Sequence, residues 1–237
     1  MDVAADGATL LLVAVSFLVS ATVGLGGSLV LIPTLTVALG AKEAIPLAAL
    51  LLGLNNGMKL AGYRRTVPWR AAVGVVAALS VGAAIGARAL VAAPEWLVTA
   101  AVVISFGATV AFERLGRSEL MAAASPVLAF AAGATSGFSG TSGPLKGVAL
   151  RALHLDRRHL AGGASLASLA GDITKAGVFA HAGLLDGASL RWALGAVPLM
   201  AVATAVGVRS NRRVGEAVFA VLFWAVMGGY TVRLLVP

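Results

Sequence analysis

Over 237 residues the chain is 59% hydrophobic and only 12% charged, with eight net positive charges and a mean hydropathy of +0.94. A soluble domain carries about 25% charged residues, so this composition excludes a soluble globular protein, and apolar runs along the whole length leave room for one membrane domain, residues 1–237. Most basic residues sit in short clusters between those runs, where they set topology, so nucleic acid is not expected as a partner. With no cysteine there are no disulfides or thiolate sites.

The first apolar stretch breaks at Gly24-Leu25-Gly26-Gly27. Its arms, residues 9–23 and 29–39, fall short of the about 20 helical residues that a bilayer crossing needs. At about 1.5 Å per residue the second arm, which contains Pro33, reaches only about 18 Å. Two short arms joined by glycines at mid-membrane depth predict a re-entrant hairpin. Ahead of it, Asp2 and Asp6 with no basic residue form the wrong flank for a secretory signal, so the first run is expected in the mature protein. A polar turn at Lys42-Glu43 then leads into a helix over 44–63, interrupted by Asn55, Asn56 and Lys59. Arg64, Arg65 and Arg70 flank a Pro68-Trp69 turn. Residues 71–90 cross and close with Gly86-Ala87-Arg88, Pro94-Glu95-Trp96 turns the chain, and 97–112 cross again. The polar connector 113–119 divides a first repeat, 1–118, from a second, 119–237.

The second half repeats this order. Residues 121–136 and 144–153 form a hairpin broken at Gly140-Thr141-Ser142-Gly143, and 160–180 a helix interrupted by Asp172 and Lys175. Crossings follow over 192–208 and 217–235, separated by a basic loop at 209–213. At an offset of 116, Gly24 and Gly27 fall on Gly140 and Gly143, Asn56 on Asp172, Lys59 on Lys175 and Tyr63 on Phe179; at 121, Gly86, Arg88 and Glu95 fall on Gly207, Arg209 and Glu216. Charge tests the hairpins. If each glycine break turns back, each half has three true crossings, the halves are inverted, and the basic residues of the connections divide eleven to four between the two sides; if each segment passes straight through, they divide eight to seven. Short cytoplasmic loops hold the basic excess, which favours the re-entrant form and puts both termini outside the cytoplasm. The expected fold is an all-α polytopic membrane protein of two inverted repeats, each a Gly-broken re-entrant helical hairpin plus three transmembrane helices.

Short, Gly-interrupted segments at matching places in two halves point to a transporter's substrate site. Each second arm starts at its break, with Ser28 or Ser142-Gly143 available as N-cap and Pro144 suited to the first helical position. Its free N–H groups and positive dipole end then favour an anion. Glycines also serve plain close packing of helices. Lys59, Asp172 and Lys175 are costly inside a bilayer and face a bundle interior or a watery cavity; Asp172 and Lys175, three apart, share a helix face and can pair. The lysines are read as attracting an anion and Asp172 as carrying a coupling proton, against a snorkelling lysine with a structural partner. Asn55 and Asn56 are polar lining or interhelical hydrogen-bonding groups, and Lys146 is left unplaced. The expected substrate-binding set is Gly24, Gly26, Gly27, Ser28, Asn55, Asn56, Lys59, Gly140, Thr141, Ser142, Gly143, Ser165, Ser168, Asp172 and Lys175, with Ser139 adding a tip hydroxyl. His154, His159 and His181 have no metal-ligand spacing, and no nucleophile–base pair stands out. Neither an enzyme nor a cofactor is therefore expected.

With the glycine breaks, Pro33, the Asn55-Asn56 helix and the Gly86-Ala87-Arg88 ending in view, the chain resembles the sulfite exporter TauE/SafE family, also called the 4-toluene sulfonate uptake permeases. The first half keeps that family's Gly-Gly…Pro pattern as Gly26, Gly27 and Pro33; the second departs from it, with Ser142-Gly143-Pro144 and Ala149 where a proline is expected. The resemblance implies movement of sulfite, sulfonates or related organic anions across the plasma membrane, coupled to an ion gradient. Expected partners are a small anionic substrate, the lipid bilayer and a coupling proton or Na+; a homodimer is left open. A secondary transporter working by alternating access is the first reading, and an anion channel using the same tips as a filter is the alternative.

Overall fold

The computed structural model describes residues 3–23, 27–115, 125–142 and 145–211. These are helical, without a strand among the described residues: α1 (Val3–Val23), α2 (Ser28–Leu39), α3 (Ala41–Tyr63), a 3-10 turn (Arg64–Thr66), α4 (Trp69–Ala92), α5 (Glu95–Leu115), α6 (Ser125–Ser139), α7 (Leu145–Arg151), α8 (Arg157–His181) and α9 (Gly187–Asn211). Gly24, Gly26, Gly143 and Pro144, the core of the connector and the expected last crossing lie outside the described residues.

Several helices start or end where the sequence alone did not put them. α1 begins at Val3 and has 21 residues, about 31 Å, longer than the arm expected from residue 9. The expected polar turn at Lys42-Glu43 is the first turn of α3. Its cap comes from far away in sequence: the Glu95 carboxylate accepts the N–H of Ala41 at 2.5 Å and that of Lys42 at 3.2 Å. The Lys42 ammonium in turn donates to the carbonyls of Val91 and Ala93, at 3.2 and 2.8 Å. One acid thus satisfies N–H groups that α3 leaves unpaired, and one base satisfies carbonyls at the end of α4. Between α2 and α3, Gly40 turns the chain at φ +83°, a conformation that costs a residue with a Cβ. α7 ends at Arg151, two residues short of the end of the expected arm at 153, and α9 continues through Arg209 to Asn211, so the start of the expected basic loop is helical. Asp156 and Asp186 cap α8 and α9 by accepting the N–H groups of His159 and Ser189, at 2.9 and 2.7 Å.

Three described helical segments are long and apolar enough to cross a bilayer: Ala41–Thr66, Trp69–Ala92 and Gly187–Val206. α8 has 25 residues but gives up apolar character to Asp172, Lys175 and serines on one face. Val73, Val81 and Ile85 of α4, Ile104 of α5, and Leu194 and Val202 of α9 are exposed, a surface that suits lipid and not water. Trp69 and Trp96, also exposed, stand at opposite ends of α4, where amphipathic rings favour the two membrane interfaces. This is a multi-pass membrane protein.

α4 packs most closely on α6, through glycines four apart on both helices. A Cβ on Gly82 or Gly86 would run into the α6 backbone at Phe130 or Ala134, and one on Gly133 or Gly137 into the α4 backbone at Leu79 or Ala83. Small residues at this spacing let helix backbones touch where lipid supplies no hydrophobic drive. α1 lies along α9, and α3 lies along α8. One apolar core gathers Leu31, Leu35, Ile45, Leu51, Phe179 and Met200; a smaller one joins Val75, Leu79, Leu128, Val148 and Leu150.

Candidate functional site

A cavity of about 160 Å³ lies between the middles of α3 and α8, lined also by the ends of α2, α6 and α7 and by Leu79 of α4. α3 contributes Leu52, Asn55, Asn56 and Lys59, positions i, i+3, i+4 and i+7 and therefore a single face. α8 contributes Ser168, Gly171, Asp172 and Lys175, with Ala164 and Ser165 a turn earlier. The first four α8 positions are the four α3 positions displaced by 116 residues. Gly27 and Ser28 line the cavity from the start of α2, Ser136, Gly140 and Ser142 from the end of α6 and the turn after it, and Lys146 from α7.

Asp172 organises the polar contacts. One carboxylate oxygen pairs with the Lys175 ammonium at 2.8 Å, and the other accepts the Asn56 amide at 2.8 Å. Lys175 also donates to the Ser136 hydroxyl at 3.0 Å, and its side chain is only 2% exposed. Lys146 donates to the Ser168 hydroxyl at 2.7 Å. Lys59 is exposed at the cavity's edge and makes neither hydrogen bond nor ion pair among the described residues. Among the described residues, three ammonium groups therefore share one cavity with one carboxylate, an excess of two positive charges of the kind that attracts anions.

The backbone adds to this field. Gly27, and not Ser28, takes the N-cap position of α2, with no side-chain cap among the described residues; both line the cavity, so the positive end of this helix dipole borders it. α7 has only seven residues and a correspondingly small dipole. Gly140 turns at φ +80°, and a Cβ there would strike the Ile32 side chain of α2, so this turn lies directly against α2.

Of the residues expected at the site, Gly27, Ser28, Asn55, Asn56, Lys59, Gly140, Ser142, Ser165, Ser168, Asp172 and Lys175 line this cavity. Thr141 is buried but does not line it, and Ser139 is turned back to its own helix, donating to the Thr135 carbonyl at 2.9 Å. Gly24, Gly26 and Gly143 lie outside the described residues. Sequence reasoning missed Ser136 and did not place Lys146. The signal for Lys146 was present: a lysine within an apolar segment carries the same cost as Lys59 or Lys175. His159 pairs with Asp156 at 2.7 Å on the surface, away from the cavity.

A family model described as Sulfite exporter TauE/SafE matches residues 8–234. The chain belongs to the TauE/SafE family. No curated protein and no solved structure matches it. Membership makes the protein a membrane transporter of the sulfite-exporter type. For a TauE/SafE protein, a polar cavity with excess positive charge between lipid-facing helices is chemically suited to an anion.

Proposed function

We propose that the protein is a secondary transporter moving a small sulfur-containing anion, such as sulfite, a sulfonate or a related organic anion, across the plasma membrane. The reading rests on one observation, the cavity between α3 and α8 with three lysines around Asp172. The anion binds among those lysines, Asn55, Asn56, the serines and the first-turn N–H groups of α2, and Asp172 carries the coupling proton. Its protonation would remove the charge that now occupies Lys175 and free that ammonium for the substrate.

The inverted-repeat arrangement draws support from how the helices pair. α4 lies on α6 and α1 on α9, and α2 lies on α3 as α7 does on α8, which are the exchanges a twofold relation between halves requires. Asn56 and Asp172, 116 positions apart, touch each other, as residues beside such an axis do. The re-entrant reading of the second hairpin is supported by the Ser125 hydroxyl donating to the Ala149 carbonyl at 2.8 Å, which ties the start of α6 to the end of α7. That end adjoins the basic turn, since Gly162 of α8 packs on the Thr66 backbone; we take it as cytoplasmic, with both termini on the other side. Alternating access is supported by Lys59 being exposed while its repeat equivalent, Lys175, is buried, the asymmetry of a site open to one side.

Proteoliposomes given a proton or sodium gradient test the function. Sulfite accumulates inside beyond its electrochemical equilibrium if the protein is a coupled transporter, and that excess collapses in Asp172→Asn. Flux that only dissipates the gradient identifies a channel, and no flux for any anion overturns the reading.

A further inference from the structure

We propose that the site selects a doubly charged oxyanion over a singly charged one, and that Lys146, acting with Lys59, sets this selectivity. This rests on the transport reading above and makes its substrate class narrower.

The charges of the cavity divide into a satisfied pair and an unsatisfied pair. Lys175 and Asp172 lie 2.8 Å apart, and both carboxylate oxygens and the ammonium are engaged by protein partners, Asn56 and Ser136 included. With Asp172 ionised this unit is neutral. Among the described residues Lys146 has only the neutral Ser168 hydroxyl, at 2.7 Å, and that hydroxyl, accepting from Lys146, keeps its own hydrogen to give to an anion oxygen. Lys59 has no partner among the described residues. Two ammonium charges therefore await a ligand at the same cavity, Lys146 partly buried in it and Lys59 at its exposed edge, and a monoanion leaves one of them unmatched.

Lys146 also breaks the repeat. Displaced by 116 positions it falls on Val30, an apolar residue buried in α2, whereas Lys59 and Lys175 replace each other. A lysine needed only to build the duplicated frame would be expected in both halves; this one adds charge to a single side of the cavity. The cavity is small, about 160 Å³, which suits a compact oxyanion with few carbon atoms.

Thermal-shift titration of the purified full-length protein, at constant ionic strength, compares thiosulfate and sulfate with methanesulfonate, which carries a similar head group and one charge. Stabilisation by a ligand tracks its affinity for the folded state. The wild type is expected to bind the dianions at least tenfold more tightly than methanesulfonate. Lys146→Met is expected to lose at least tenfold for the dianions with little change for methanesulfonate, and Lys146→Arg to keep the preference. A structural role for Lys146 would not change this ratio. If Lys146→Met does not fold, Lys59→Met reports the same loss of preference. Equal wild-type affinity for both charge classes, or an unchanged ratio in a folded variant, overturns the dianion assignment while uptake in proteoliposomes leaves the transport reading standing. Neither binding nor uptake of any anion overturns both.

Discussion

Removing the Asp172 carboxylate should reveal how strongly the cavity depends on its one acid. The Lys175–Asp172 pair is separated by 2.8 Å, which at an effective dielectric constant of about 20 corresponds to a gross attraction of about 6 kcal/mol. Most of that offsets the desolvation of two nearly buried groups, so the net value of the pair is small, but removing one member leaves the other charged and alone. Asp172→Asn is therefore expected to cost about 3–5 kcal/mol. Lys175→Met should do less harm, because the acid left behind shares the cavity with the Lys59 and Lys146 ammonium groups and still accepts from Asn56 at 2.8 Å. The double variant Asp172→Asn/Lys175→Met has no stranded charge and should return to within about 2 kcal/mol of the wild type. Denaturant unfolding in mixed micelles, analysed as a double-mutant cycle, gives all four free energies. An Asp172→Asn protein as stable as the wild type, or a double variant as unstable as the sum of the single changes, would refute the view that the pair is a charge-balanced unit.

Gly82→Ala and Gly133→Ala place a methyl group against the facing backbone and should each cost about 1–3 kcal/mol in the same unfolding assay. Gly74→Ala, which meets nothing within 4 Å, should stabilise by about 0.4–1 kcal/mol; equal effects at the two kinds of site would refute the close α4–α6 contact. Glu95→Ala removes the cap of α3, at a cost of about 1–2 kcal/mol, and should speed hydrogen exchange at Ala41 and Lys42, with Glu95→Gln intermediate; unchanged exchange there would show that the long-range cap contributes nothing. Asp186, in the turn before α9, has its carboxyl held below the usual Asp range by hydrogen bonds from the Ser189 backbone N–H and hydroxyl. Its stabilisation is full above the unfolded value of about 3.9 and is lost as pH falls through the lower folded value. Protection of the amides of residues 187–190, taken relative to intrinsic exchange at each pH, should therefore fall below about pH 4 in the wild type and vary less with pH in Asp186→Asn; identical protection profiles would refute the assignment.

Much of the helical order, and most of the side chains around the cavity, can be read from the residues alone. Helical spacing puts Asn55, Asn56 and Lys59 on one face, and an offset of 116 carries that face onto Gly171, Asp172 and Lys175. The cost of charge in lipid then marks these segments as unusual. Tertiary structure decided what those residues meet. A position in a helical run gives depth but not rotation toward a neighbour, so neither the Asn56–Asp172 contact nor the reach of Lys146 to Ser168 follows from spacing. The start of α3 depends on Glu95, more than fifty positions away, because an orphan N–H group donates to any carboxylate that folding brings near. The spacing of Gly82 and Gly86 is visible in one dimension, yet that their partners are Gly133 and Gly137 is settled only when two backbones approach. Local chemistry is written along the chain, whereas a contact between helices depends on both of them at once.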